Sequence, residues 1–202
     1  MNREELIAGL ARAVGSVTVA HPVRVAVDGA PAAGKTTLAG ELAAALPGEV
    51  IRATVDDFLF PRARRYARGE YSAEGCYYDT HDWAGLRRVL LDPLGPGGNR
   101  RYQQAVYDHA TDTVLSPPKR TAPAGAVLIV DGVFLLRPEL RDHWELRVFV
   151  SATRETTVRR AVLREGRPDV ERRWRDRYLP AQRLYAAEAR PAEHADIVVD
   201  NG

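Results

Sequence analysis

The stretch Gly29-Ala30-Pro31-Ala32-Ala33-Gly34-Lys35-Thr36 decides how the rest of the chain is interpreted. It follows an apolar run from Val23 to Val27, which predicts a strand. It precedes the segment from Thr36 to Leu46, which predicts a helix ended by Pro47 and Gly48. A strand, a turn of the form Gly-x-x-x-x-Gly-Lys-Thr and a helix, in this order, form the Walker A pattern of phosphate-binding loops.

The residue types of this loop match the needs of a bound nucleotide. Glycines let successive backbone N–H groups face phosphate oxygens, and the start of the helix adds partial positive charge. Lys35 is expected to bridge the β- and γ-phosphates, and Thr36 to offer its hydroxyl to Mg²⁺. We therefore expect ATP and Mg²⁺ as cofactors, with the choice between ATP and GTP left open. The expected nucleotide contacts are Gly29, Ala32, Ala33, Gly34, Lys35, Thr36 and Thr37.

The remaining apolar runs predict a parallel sheet. They are 50–55, 127–130, 146–150 and 197–199. Helix-length segments separate them, which predicts an α/β fold: a P-loop NTPase three-layer sandwich around a central, mostly parallel sheet. The first three strands are followed by Asp28, Asp56 and Asp131, and such sheets bind ligands at the carboxyl ends of their strands. Asp56 and Asp131 are therefore the candidates for a carboxylate that holds Mg²⁺ beside Thr36.

The lengths of the other segments predict the organisation of a single domain over residues 1–202. The segment 60–126 is too long for a simple loop and is predicted to be an acceptor-binding insertion. Within it, 82–91 is compatible with a helix and 102–115 with a hairpin. The arginine-rich segment 153–177 predicts a helical lid, with an interruption at 166–168 that separates two helices.

Composition narrows the class of protein. The net charge is only +2, and 27 of the 29 basic residues are arginines interspersed with acids, so we expect no nucleic-acid partner. The single cysteine, Cys76, cannot form an internal disulfide, which favours a reducing, cytoplasmic location. No apolar run approaches the roughly 20 residues that a bilayer requires, so no membrane partner is expected. Whether the chain forms a homo-oligomer is left open.

These motifs resemble the uridine kinase and phosphoribulokinase group of P-loop kinases, in order from about residue 23 to residue 200. Val55-Asp56-Asp57-Phe58 is similar to the strand-end Asp-Ser-Phe of that group, which implies that Asp56 is the general base. The stretch 78–82, Tyr-Asp-Thr-His-Asp, is similar to a segment that holds the ribose of a nucleoside, which implies substrate contacts from Asp79 and its neighbour Tyr78. Tyr107, in the stretch 105–108, matches a tyrosine that packs on the acceptor base.

The resemblance continues through the third strand and the lid. Asp131-Gly132 matches a Glu-Gly pair of the group. The stretch 159–167 is similar to the arginine-rich lid that closes over ATP. It implies that Arg160 binds the nucleotide and that Arg164 and Arg167 take part in catalysis.

The resemblance implies ATP-dependent phosphorylation of a hydroxyl on a small metabolite, with a nucleoside as the first expectation. Uridine kinases carry a histidine several residues after the tyrosine, where this chain has Thr111 and Asp112, so His109 is the remaining candidate for a base contact. Kinases of pantothenate, of a sugar acid or of nicotinamide riboside remain alternatives on the same scaffold. A nucleotide-dependent ATPase or switch module is an alternative from another class.

Overall fold

A computed structural model of the chain describes residues 2–166 and 168–202, so the predicted role of Arg167 lies outside the described residues. The strands are β1 (Val23–Gly29), β2 (Val50–Thr54), β3 (Arg101–Tyr102), β4 (Tyr107–Asp108), β5 (Thr113–Val114), β6 (Arg120–Thr121), β7 (Val127–Gly132), β8 (Leu146–Ser151) and β9 (Ile197–Asp200). The helices are α1 (Arg3–Gly15), α2 (Lys35–Ala45), α3 (Arg62–Arg65), α4 (Ala73–Tyr78), α5 (Trp83–Leu86), α6 (Pro138–Arg141), α7 (Arg154–Glu165), α8 (Val170–Arg173), α9 (Leu179–Ala189) and α10 (Pro191–His194).

The central sheet has five parallel strands in the order β2-β7-β1-β8-β9. Because β1 lies in the middle, the loop that follows it is placed at the centre of the carboxyl edge. Val27 of β1 and Thr54 of β2 both lie opposite Asp131 of β7, so the ends of these strands are level with one another. The parallel sheet predicted from the sequence is confirmed, and it brings the strand-end acids to one edge.

Alternate residues of β1 face different hydrophobic layers. Val25 and Val27 pack with Leu10 of α1 and Leu38 of α2 on one face. Ala26 packs on the other face, in a cluster formed by the insertion, the segment after β7 and α9. These two layers bury the sheet on both sides, which is the predicted three-layer arrangement.

The segment after β2 differs from the prediction. The strand ends at Thr54, one residue early, and Val55–Phe58 forms a 3₁₀ turn. Thr54 begins this turn, and its hydroxyl oxygen accepts a hydrogen bond from the N–H of Asp56 at 3.5 Å. The turn places Asp56 immediately beyond the strand end.

The insertion is only partly as predicted. The helix predicted for 82–91 is confirmed as α5 followed by a π-helical turn, Arg87–Leu91, and the carboxylate of Asp82 caps it by accepting from the N–H of Gly85 at 2.8 Å. The hairpin predicted for 102–115 is shorter, because only β4 and β5 pair in it. Tyr102 belongs instead to β3, which pairs with β6.

The lid segment contains the two predicted helices. The first, α7, is followed by Gly166 in a left-handed conformation with φ 59°. The second begins with α8 and runs through a π-helical turn, Trp174–Tyr178, into α9. In the described part of the chain, no helix combines the length and the apolar character needed to cross a bilayer.

Candidate active site

A cavity of about 460 Å³ opens at the carboxyl ends of β1, β2 and β7. Its wall has two parts, which we call the phosphate side and the acceptor side. The phosphate side contains Ala32, Gly34, Lys35, Thr36, Thr37, Asp56, Asp131, Arg160 and Arg164. The acceptor side contains Leu59, Arg65, Tyr66, Cys76, Thr80, His81, Phe134, Arg177, Tyr178 and Gln182.

The loop between β1 and α2 has the conformation that its glycines allow. Gly34 has φ 95° and ends the loop one residue before α2 begins. A Cβ atom on Gly29, which has φ 153°, would lie 2.4 Å from the carbonyl oxygen of Val150 in the neighbouring strand. Among the described residues no side chain caps α2, so its first N–H groups remain available for phosphate oxygens.

Lys35 is the first residue of α2, and its ammonium group donates to the carbonyl of Ala30 at 2.7 Å. Burial lowers the pKa of Lys35 to about 8, while the nearby carboxylates of Asp28, Asp56 and Asp131 oppose this shift. A phosphate group at the same place would add negative charge and favour the protonated form. The lysine is thus held inside the loop, as the motif predicts.

Three oxygen donors suited to Mg²⁺ line the phosphate side. The hydroxyl of Thr36 donates to one carboxylate oxygen of Asp131 at 2.6 Å, and the guanidinium of Arg52 donates to the other at 2.8 Å. Asp56 lines the same wall. Hydroxyl and carboxylate oxygens are the ligand types that Mg²⁺ takes, together with phosphate oxygens of a substrate. Within the described residues no group of three or more His, Cys, Asp or Glu side chains is arranged to hold a metal ion.

Asp56 lines the cavity, and the residue is exposed to solvent. Desolvation raises the pKa of its carboxyl group, Lys35 and His109 act in the opposite direction, and the charge of Asp131 raises it further. A carboxylate with a raised pKa is a stronger base than one with an ordinary pKa. The position of Asp56 and the direction of its pKa shift are compatible with its predicted role as general base.

Two charged residues that the sequence analysis left without a role support this site. Asp28 is completely buried below the loop, where it accepts hydrogen bonds from the N–H groups of Gly29 at 2.7 Å and Leu136 at 3.1 Å and from the hydroxyl of Tyr185. It therefore ties the end of β1 to α9. Arg52, on β2, pairs with Asp131. The register between β2 and β7, whose ends are level, brings this pair together. The sequence alone did not reveal that register.

The predicted acceptor residues lie outside the cavity wall. The carboxylate of Asp79 pairs with Arg68 at 2.5 Å, and Tyr78 is 41% exposed and donates to Glu188. Tyr107 is buried and donates to Asp112, and His109 is exposed at the end of the hairpin. In this structure none of the four predicted residues lines the cavity, although His109 is close enough to affect the pKa of Asp56.

The structure brings a different set of polar groups to the acceptor side, among them Arg65, Arg177, Thr80 and His81. The imidazole of His81 stacks on Trp83 with ring centroids 4.6 Å apart, and its Nδ1 has no hydrogen-bond partner among the described residues. Sequence reasoning missed these groups because they come from three separate segments. The high arginine content of the two segments that contain Arg65 and Arg177 was the sequence signal that could have indicated these two residues.

Known proteins are similar to this chain in sequence over part of its length and in structure over nearly all of it. No protein-family model matches it. A pantothenate kinase from Halalkalibacterium halodurans is 29% identical over 135 residues, which are 64% of this chain and 42% of the relative, so the chain spans less than half of that relative's length.

Solved structures match over nearly the full chain. A possible uridine kinase from Bacillus stearothermophilus has a TM-score of 0.78 and 25% identity, covering 99% of this chain and 100% of that one. A provisionally assigned fructose transport system kinase from Silicibacter sp. TM1040 has a TM-score of 0.77 and 24% identity, covering 98% of both chains. A D-glycerate 3-kinase from Cryptococcus neoformans has a TM-score of 0.62 and 16% identity, covering 89% of this chain and 88% of that one.

These matches confirm the predicted fold class and the resemblance to uridine-kinase-like P-loop kinases. The names of the matched proteins include kinases of different acceptors. The acceptor of this chain has to be argued from its own residues.

Proposed function

We propose that this chain, which is similar in fold and motifs to the uridine-kinase-like P-loop kinases, transfers the γ-phosphoryl group of ATP to a hydroxyl of a small metabolite. The observation that carries the proposal is the phosphate side of the cavity. There the open start of α2, Lys35, the Thr36–Asp131 pair and Asp56 line one wall of the cavity. A base beside a phosphate-binding loop is the arrangement that phosphoryl transfer to a hydroxyl needs.

Each of these residues has a separate role in the proposed reaction. The amides at the start of α2 and the ammonium of Lys35 bind phosphate oxygens. Thr36 and Asp131, with Asp56 nearby, would hold Mg²⁺, which supplies positive charge that stabilises the transferred group. Asp56 accepts the proton of the acceptor hydroxyl, whose oxygen forms a bond to the γ-phosphorus while the bond from that phosphorus to the oxygen of the leaving ADP breaks.

The two described lid arginines complete the site. Arg160 and Arg164 extend from α7 to the phosphate side of the cavity. One guanidinium nitrogen of Arg160, Nη1, is buried without a hydrogen-bond partner among the described residues. Such a group can bind the phosphoryl oxygens, on which charge spreads during transfer.

Two sets of acceptors fit this reaction. The resemblance of residues 78–82 and 105–108 supports a nucleoside. The similarity to a pantothenate kinase and to a D-glycerate 3-kinase supports an acid instead. The other class of function, an ATPase or switch module, differs in its signature, which is slow hydrolysis of ATP that no metabolite accelerates.

The proposal is tested with three variants of the full chain. Lys35→Ala is expected to abolish transfer. Asp56→Asn is expected to lower kcat by about 10²- to 10⁴-fold and to leave ATP affinity largely unchanged, because only the base is removed. Asp57→Asn is the matched control, since Asp57 is the next carboxylate in the chain and does not line the cavity.

Release of ADP with a panel of acceptors measures turnover, and calorimetry measures nucleotide affinity. Turnover by Asp56→Asn at the wild-type rate would remove Asp56 as the base. A wild-type protein with no affinity for ATP or GTP would refute the proposed function as a whole.

A further inference from the structure

The acceptor side of the cavity contains two arginines from different parts of the chain. Arg65 is the last residue of α3 in the insertion, and Arg177 lies in the π-helical turn between α8 and α9. Both line the cavity together with Thr80 and His81. The phosphates of the nucleotide have their own cationic groups on the other side, so these two arginines need a separate explanation.

Arg177 is a buried cation that is bound only by neutral groups. Its exposure is 3%. One guanidinium nitrogen donates to the carbonyls of Glu70 at 3.2 Å and Ser72 at 3.1 Å, and the other donates to the hydroxyl of Thr80 at 3.1 Å. No carboxylate of the described residues forms an ion pair with it, in contrast to the nearby Arg173, which pairs with both Asp169 and Glu70.

Arg65 is also incompletely neutralised. Its nearest carboxylate is Asp112, 3.5 Å away and 46% exposed, and Asp112 also accepts from the hydroxyl of Tyr107. The Nε atom of Arg65 is buried and has no hydrogen-bond partner among the described residues. The side chain is 13% exposed, so little water reaches it.

Arg65 lies near the carboxylate proposed as the base, and both arginines lie near His81. Arg65 is close enough to Asp56 to affect the pKa of that carboxyl group. Arg65 and Arg177 both affect the pKa of His81, which burial lowers to about 3, so the imidazole is neutral. The ring therefore adds no charge, and the acceptor side has two guanidinium groups around a neutral imidazole.

Buried cations are costly unless an opposite charge accompanies them. Guanidinium groups bind carboxylates and phosphates through two parallel hydrogen bonds, which makes them suited to such anions. We infer that the phosphate acceptor carries an anionic group, a carboxylate or a phosphate, which Arg65 binds and the charge of Arg177 stabilises, while its reacting hydroxyl lies at Asp56.

This inference rests on the proposed function and names its class of substrate. It makes the acceptor an acid or a sugar phosphate, and it excludes a neutral nucleoside. The test compares acceptors in pairs that differ in one charge. D-glycerate is paired with glycerol and pantothenate with pantothenol for the carboxylate, fructose 6-phosphate is paired with fructose for the phosphate, and uridine is the neutral reference.

The measurement is ADP release as a function of acceptor concentration. At least one anionic member is expected to exceed its neutral partner in kcat/KM by about tenfold to a hundredfold, the contribution of a charged hydrogen-bonded contact. The pair that shows the difference tells whether the group is a carboxylate or a phosphate. Equal kcat/KM within every pair, or turnover of uridine and of no anion, would overturn the inference while leaving phosphoryl transfer intact.

Arg65→Gln tests the residue itself. It should raise the KM of the anionic acceptor by about tenfold to a hundredfold and leave the KM of ATP and of the neutral partner within about twofold. Arg65→Lys, which keeps the charge, should recover part of the loss. Arg64→Gln is the matched control, because Arg64 lies on the same short helix, is exposed and does not line the cavity.

The outcomes separate the two proposals. A thermal melt of each variant shows whether it is folded, so that a lost structure is not mistaken for a lost contact. An unchanged KM in folded Arg65→Gln refutes the inference. Failure of the wild-type protein to bind ATP or GTP refutes the proposed function instead.

Discussion

Acidification should destabilise this protein through one buried histidine. His81 is 4% exposed and stacks on Trp83. Burial lowers the pKa of His81 to about 3, and the charges of Arg137, Arg65 and Arg177 add to the effect. In the unfolded chain the imidazole has its ordinary pKa of 6.5. The perturbation is a change from pH 7.5 to pH 5, applied to the wild type and to His81→Gln.

The direction and the size of the change in stability follow from the pKa values of His81 in the folded and unfolded states. Between pH 6.5 and pH 3 the unfolded imidazole takes up a proton that the folded one does not. The contribution of neutral His81 to the free energy of unfolding is therefore fully present above the pKa of the unfolded state, and it is lost as the pH falls toward the pKa of the folded state. At pH 5 the unfolded imidazole is about 97% protonated, which stabilises the unfolded state by about 2 kcal/mol at about 1.4 kcal/mol per pKa unit.

Urea unfolding at both pH values measures the free energy of unfolding. Asp28 and Asp56, whose pKa values burial raises, act in the opposite direction, but they are present in both proteins and cancel in the comparison. The wild type should lose about 2 kcal/mol more than His81→Gln between pH 7.5 and pH 5. Losses that agree within about 0.5 kcal/mol, the usual limit of additivity, would refute the assignment of His81 as a neutral buried group.

Three further predictions test the loop, the lid and the metal site. Gly29→Ala should lower the free energy of unfolding, measured in urea, by about 2–6 kcal/mol, because the added methyl group would collide with the neighbouring strand and the φ angle is unfavourable for alanine. Gly125→Ala, which places its methyl group near no other atom, should change the free energy of unfolding by less than about 0.5 kcal/mol. Similar values for the two variants would contradict the loop geometry. Arg160→Gln should lower kcat for ADP release by about 10²- to 10³-fold. The control is Arg154→Gln, which changes an exposed residue of the same helix and should leave kcat unchanged. Equal kcat values for the two variants would exclude Arg160 from catalysis. Asp131→Asn should raise the Mg²⁺ concentration for half-maximal activity by about tenfold to a hundredfold, and an unchanged Mg²⁺ titration would rule Asp131 out of the metal site.

The phosphate side could be predicted from the sequence because its chemistry is local. Eight consecutive residues, 29–36, contain the turn, the lysine and the hydroxyl, and their position between a strand and a helix fixes their conformation. Asp56 and Asp131 followed from the same reasoning, since parallel strands end at a common edge. These predictions needed the order of the strands along the chain and no knowledge of their exact pairing.

The acceptor side could not be predicted in this way because its residues meet only through tertiary packing. Thr80 and Arg177 lie 97 positions apart and are joined by a hydrogen bond across the cavity wall. Asp79 and Tyr107 fit the family pattern by residue type, but in this structure they bind Arg68 and Asp112 instead. A motif identifies a residue, whereas its neighbours in the fold decide which groups remain available to a ligand.

The charges of the cavity connect its two sides. Asp56 must stay ionised to act as a base although burial disfavours its charge, and Lys35 and Arg65 oppose that effect from opposite sides of the cavity. When phosphates occupy the loop, they neutralise Lys35, and the influence of Arg65 on Asp56 becomes more important. An anionic acceptor at Arg65 would weaken that influence only once it is bound with its hydroxyl at Asp56. On the inferred mode of acceptor binding, the same arginine would contribute both to binding of the acceptor and to the charge environment of the base.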